Sequence, residues 1–280
     1  MLIDILTDTL LDLVKLLPLL FATYLLMEYF EERFSDRSRS HIVKNRWGIP
    51  RAAVIGAVPQ CGFSASASEL YCGGVISYAT LITVFFSTSD EMLPLMISSA
   101  VEPLRMLKIM GVKILVAIAA GVFTQLVLGK KNPSSISDIC RNENCNCEED
   151  GIVRSALKHT LNIALFIGAV SLALNLLIGF AGTDAIRSVF SGNPLMSLFV
   201  IPLVGLIPNC AASVIITEMF LSGIIDSSLL IAGLCANSGV ALLVLFRNNK
   251  NLRENIFTVF WLYLLSVITG LILGLAGISL

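Results

Sequence analysis

The chain has 280 residues, 56% hydrophobic and 14% charged, with a net charge of -1 and a mean hydropathy of +0.84. That balance excludes a soluble globular domain and leaves no basic face for a nucleic acid; it predicts an all-α polytopic protein surrounded by lipid. The 19 basic and 20 acidic residues are gathered into short segments between apolar runs, so the net charge says nothing of partners.

The first apolar run, 10–27, follows aspartates rather than a basic segment and precedes no small-residue cleavage pattern, so it is expected to stay as a helix. A basic loop, 28–51, leads to the run 52–70, which contains PQCGFSASASEL at 59–70. Runs at 75–86 and 92–101 are separated by STSDE, and a further run covers 109–128. The polar segment 129–158 carries CRNENCNCEED with Cys140, Cys145 and Cys147, whose spacing fits no standard zinc pattern. Such a loop can collect or sense a soft metal, or simply be a solvated linker with reduced thiols. Four more runs follow, at 161–180, 195–220, 229–246 and 256–280. Several are shorter than the roughly 20 residues a membrane span needs, and Gly, Pro, Ser or Asp interrupts them, which predicts broken or re-entrant helices.

The second half repeats the first. PNCAASVIITEM at 208–219 answers PQCGFSASASEL, and an offset of 149 residues, from Pro59 to Pro208, also aligns the run at 10 with His159 and Gly121 with Gly270. Across 58–93 this offset matches identical residues from Pro59/Pro208 to Leu93/Leu242, including Cys61/Cys210, Ser64/Ser213, Glu69/Glu218, Gly74/Gly223 and Ser89/Ser238. The expected organisation is a first transmembrane repeat at 1–128, a cytoplasmic linker at 129–158 and a second repeat at 159–280. Arg33, Arg37, Arg39, Lys44, Arg46 and Arg51 make the loop 28–51 cytoplasmic, whereas its counterpart 177–200 holds only Arg187. The opposite bias holds at 247–253, which is basic while its counterpart is not. An odd number of crossings per half follows, and the repeats are predicted to be inverted, with about five short or broken helices each.

The paired motif supplies the candidate site. Pro59 and Pro208 suit the first turn of a helix restarting inside the membrane, where free N–H groups and the positive dipole end face a ligand. On that helix Cys61, Ser64 and Ser68 fall on one stripe, repeated as Cys210, Ser213 and Thr217. Small polar residues also glue membrane helices together, but duplication of the whole constellation, amide and carboxylate included, favours a site. Glu69 and Glu218 are expensive in hydrocarbon and point to a cavity, a partner or an ion. The predicted substrate-binding set is Gln60, Cys61, Ser64, Glu69, Asn209, Cys210, Ser213, Glu218 and Asn237, with Cys61, Glu69, Cys210 and Glu218 as metal ligands. Thiolates suit As(III), Cu(I) or Zn, and the oxygen donors suit Mn or Mg. The polar breaks STSDE and ANSG, where Thr88 aligns with Asn237, offer backbone carbonyls as further ligands.

On VPQCGFSASASELYCGGVISYATLITVFFSTSDEMLPLM and GLIPNCAASVIITEMFLSGIIDSSLLIAGLCANSGVALLVLF the chain resembles the ten-helix heavy-metal exporters, whose members are labelled arsenic efflux proteins or manganese transporters, and more distantly the arsenical permeases. The resemblance implies a secondary transporter exporting a metal or metalloid by alternating access, with protons as the coupling partner, no permanently bound cofactor, and no enzymatic activity. Homo-oligomerisation is left open. Two rivals remain: a divalent cation carrier for manganese, and a membrane thiol–disulfide electron carrier using Cys61 and Cys210. No GxxxxGK[ST], HExxH or GxSxG motif is present.

Overall fold

The computed structural model describes residues 48–59, 61–89, 91–129, 152–181 and 194–277, together with the helical residues Val14, Leu17, Pro18, Phe21, Ala22 and Leu25. For Cys61 and parts of 152–181 only the backbone is described, and Cys140, Cys145 and Cys147 lie outside the described residues. Eleven helices occur among them: α1 (Gly48–Gly56), α2 (Cys61–Cys72), α3 (Tyr78–Ser87), α4 (Met92–Ser98), α5 (Pro103–Leu128), α6 (Ile152–Ala181), α7 (Pro194–Gly205), α8 (Cys210–Leu221), α9 (Ser227–Ala236), α10 (Ala241–Asn248) and α11 (Leu252–Leu275). No strand is found among the described residues. Helix α6 begins inside the segment read as linker, and the run 195–220 is two helices interrupted at 206–209.

The offset of the repeat carries over to the element boundaries. Shifted by 149 residues, α2 coincides with α8 and α3 with α9 at both ends. Both α2 and α8 end in the same tight turn, with Gly74 and Gly223 each at φ 73. There the chain folds back so that Val75 N–H reaches Leu70 O at 2.8 Å and Ile224 N–H reaches Met219 O at 2.9 Å. A side chain at either glycine would meet the left-handed steric penalty. Helices α3 and α9 start on hydroxyl and carboxylate caps: Ser77 Oγ accepts from Thr80 N–H and Asp226 Oδ1 from Leu229 N–H.

Each repeat has the same packing. Helix α3 lies against α1 and α5, and α9 lies against α7 and α11. Close approach is set by glycines at corresponding positions. A Cβ on Gly121 would overlap Thr83 Oγ1 and stand 3.1 Å from Ile49 Cγ2, and one on Gly270 would stand 2.7 Å from Leu198 Cδ1 and 2.9 Å from Ala232 Cβ. Ile49 and Leu198, like Thr83 and Ala232, are equivalent under the offset.

Among the described residues, four segments are long and apolar enough to cross a membrane: Tyr78–Ser98, Pro103–Leu128, Ser227–Asn248 and Leu252–Leu275. Two of them are broken near their middle. The first contains α3 and α4 with the break at 88–91, the other α9 and α10 with the break at 237–240. The two repeats interlock through the second halves of these broken spans: α10 packs on α2, and α4 packs on α8. Ser68 Oγ ties the first of these contacts by donating to Ala241 O at 2.9 Å.

Candidate functional site

The motif helices begin where the sequence places them, with one difference. Asn209 is the N-cap of α8, its Oδ1 accepting from Ala211 N–H at 3.2 Å, so Pro208 stands outside the helix rather than in its first turn. Asparagine competes well for that position because its carboxamide satisfies an N–H that the helix leaves over. The Asn209 oxygen, expected as a substrate ligand, is therefore engaged by the backbone. Gln60 lies outside the described residues, as does the side chain of Cys61.

Behind this cap the small polar stripe is fully buried: Ser64 and Ser68 on α2, and Ser213 and Thr217 on α8, have no exposed surface. Ser213 Oγ donates to Cys210 O at 2.7 Å and Thr217 Oγ1 to Ser213 O at 2.7 Å. These bonds hold the hydroxyl oxygens in the helix surface with lone pairs still available. Cys210 is buried in an apolar cluster with Ala65 of α2, Ile163 of α6, and Val240 and Val244 of the second broken span. The start of α8, the middle of α2 and the second break thus converge, and the thiol is the soft donor at that meeting point.

The glutamates go elsewhere. Glu69 has no exposed surface, whereas Glu218 is half-buried. Each stands eight residues beyond its cysteine, a distance of about 12 Å along a helix, so one ion cannot bind both groups of the same motif. Near Glu69, Tyr71 donates to the carboxylate of Glu254 in the first turn of α11, and Cys72 lies within the electrostatic reach of both acids. Near Glu218, Arg105 of α5 lies over Phe220, 4.9 Å from the ring centroid. The end of each motif helix thus meets the start of the other repeat's last helix. Among the described residues no group of three or more His, Cys, Asp and Glu side chains comes together to hold a metal ion.

A residue the sequence reading passed over sits at the first break. Lys113, on α5, has no exposed surface; its ammonium donates to Thr88 O and reaches Ser89 Oγ at 3.5 Å. The signal was a lone cation at the fifth residue of the apolar run 109–128, hidden in the repeat comparison because its counterpart is Leu262. At the second break Asn237 is buried and its Oδ1 accepts from Gly239 N–H at 2.9 Å, a turn-forming bond.

A cleft of about 360 Å³ opens at Arg105, Phe220, Asp226, Ser227 and Ser228. At the equivalent place in the other half, Tyr78 occupies the position of Ser227 and donates to Thr258 Oγ1 at 3.1 Å.

Residues 2–136 match the sequence profile of a family described as "Putative, 10TM heavy-metal exporter". No curated protein and no solved structure matches the chain. The matched residues take in the first repeat, its broken span and Lys113; the second repeat is joined to them by the offset and by the shared helix boundaries.

Proposed function

We propose that this multi-pass membrane protein is a secondary carrier that exports a heavy metal or metalloid, binding it between the starts of α2 and α8 and exposing it alternately to the two sides. The observation that carries the reading is the convergence of Cys210, the buried hydroxyl stripes and the second break at the contact between repeats, in a chain whose first half is similar to heavy-metal exporters. Cys61 and Cys210 would be the soft ligands, Ser64 and Ser213 the oxygen ligands, and Gln60 and Asn209 would shape the helix starts. Glu69 and Glu218, placed away from the thiols, suit a role along the path at different depths, with proton exchange as the expected coupling chemistry. Opposed basic loops support an inverted arrangement of the two repeats, the usual frame for alternating access.

The test is transport by purified protein in proteoliposomes, with As(III), Zn(II), Cu(I) and Mn(II) offered in turn and the accumulated metal quantified. Movement of As(III) or a soft metal, lost in Cys61→Ser with Cys210→Ser, is the expected result. Movement of Mn(II) that survives the serine variants would transfer the site to its oxygen ligands. No movement of any metal, together with reversible oxidation of the two thiols, would replace the carrier with an electron carrier.

A further inference from the structure

The two breaks occupy equivalent places and are finished differently. At the first, side chains serve the carbonyls at the end of α3: Ser87 Oγ and Thr88 Oγ1 donate to Val84 O at 3.0 and 2.7 Å, Ser89 Oγ donates to Ser87 O at 3.2 Å, and the Lys113 ammonium donates to Thr88 O. The corresponding residues at the second break are Ala236, Asn237, Ser238 and Leu262. Ala236 has no hydroxyl, the Asn237 amide oxygen is turned to Gly239, and Leu262 brings no charge. Among the described hydrogen bonds no side-chain donor serves the carbonyls of Ala236 or Asn237. Ser238, 1% exposed, has a buried Oγ with no hydrogen-bonding partner. An unpartnered buried hydroxyl beside helix-terminal carbonyls costs stability unless something meets it.

What meets the same atoms in the first break is a monovalent cation, tethered as Lys113. We infer that the second break is a binding site for a free small monovalent cation of the Na+ class, held by Ser238 Oγ and the end carbonyls of α9 in the place the lysine ammonium takes in the first. The ligand set argues for single charge. Asp90, the acid of the first break, is replaced by Gly239, so the described donors are all neutral oxygens. Divalent ions are ordinarily held through at least one carboxylate among their oxygen ligands. Neutral carbonyls at an interrupted helix end are a recurrent Na+ environment in carriers. The inference rests on the carrier reading only for the use made of the ion; the binding itself is independent of what metal is exported.

The experiment is thermal unfolding of the purified full-length protein as NaCl replaces choline chloride at constant ionic strength, with MnCl2 as a separate probe. A Na+-specific rise of roughly 3 °C is expected. It should vanish in Ser238→Ala, remain in Ser89→Ala, and vanish in Leu262→Lys, which imports the tethered cation of the first break. If the lysine variant does not fold, Ser238→Ala against Ser89→Ala decides. Absence of a Na+-specific rise, or a rise that persists in Ser238→Ala, overturns the site. A Ser238-dependent rise with Mn(II) and none with Na+ overturns its monovalent character. Failure of metal transport leaves this result unchanged, so the two readings fail separately.

Discussion

The guanidinium of Arg105 lies over the ring of Phe220, Cζ 4.9 Å from the centroid, at the pair of positions where the other side of the repeat joins Tyr71 to Glu254 by a hydrogen bond. The offset of 149 residues carries Tyr71 to Phe220 and Arg105 to Glu254. One contact scheme is thus kept, between the end of a motif helix and the start of the other repeat's last helix, while the charge presented is reversed. A cation faces an aromatic ring at one end and an anion faces a phenol at the other.

The two contacts differ in strength. A hydrogen bond to an ionised carboxylate is worth about 1.5–3 kcal/mol, whereas an exposed cation–π contact contributes about 0.5–1 kcal/mol. Arg105 is exposed and Tyr71 is buried. Tyr71→Phe should therefore lower the unfolding midpoint more than Arg105→Ala, and the ranking is checked by parallel thermal melts in one detergent.

Glycine packing gives a second ranking. Gly121→Ala and Gly270→Ala force a methyl into Thr83 and into Leu198 with Ala232, and should each cost about 1–3 kcal/mol. Gly111 lies on α5 with nothing within 4 Å of its missing Cβ, so Gly111→Ala should be neutral or stabilise by up to about 1 kcal/mol. Denaturant titration of the three variants reads this directly; equal losses at all three positions would contradict the packing.

At Asn209 the cap and the ligand roles separate cleanly. Asn209→Ala should cost about 1 kcal/mol of stability, and Asn209→Ser, which keeps a cap acceptor, should restore it. Transport that returns with Asn209→Ser assigns the residue to the helix start. Transport that stays lost in a variant of full stability assigns it to the substrate.

The glutamates should part company as well. Glu69 is fully buried and Glu218 is half-buried, so Glu69→Gln is expected to reduce transport at least tenfold more than Glu218→Gln, with both proteins folded by size-exclusion chromatography. The basis is that only a carboxylate removed from water has its charge state controlled by what passes it. Equal losses would mean that burial is not what distinguishes them.

Much of the architecture was legible because its cause is local. Interrupted hydropathy at STSDE and ANSG marks the breaks, and the doubled PQC/PNC motif marks the two helix starts. The left-handed glycines also stand out as a pair, Gly74 with Gly223. What sequence alone could not show is tertiary: that α10 packs on α2 and α4 on α8, that Tyr71, two residues past Glu69, bonds Glu254, and that Arg105 lies over Phe220, two residues past Glu218. Lys113 was missed because a comparison that scores matches between repeats discards the positions where they differ. Asn209 was read as a ligand because an amide beside a proline looks chemical until its oxygen is seen to close a helix.

The exchange of α4 and α10 between repeats has a consequence for how the chain is made. Ser68 and Ala241 are 173 residues apart, so the surface of α2 that receives α10 is synthesised long before its partner. At ribosomal rates of about 5–20 residues per second the wait is on the order of ten seconds or more. During that time a serine-rich helix already in the bilayer has its polar stripe facing lipid or the insertion machinery. The first half is thus an obligate debtor to the second: expressed alone it should be degraded or self-associate, and co-expression of the two halves should rescue it. The same exchange, run between two copies of a single undivided unit, describes the dimer from which such a chain could have been fused.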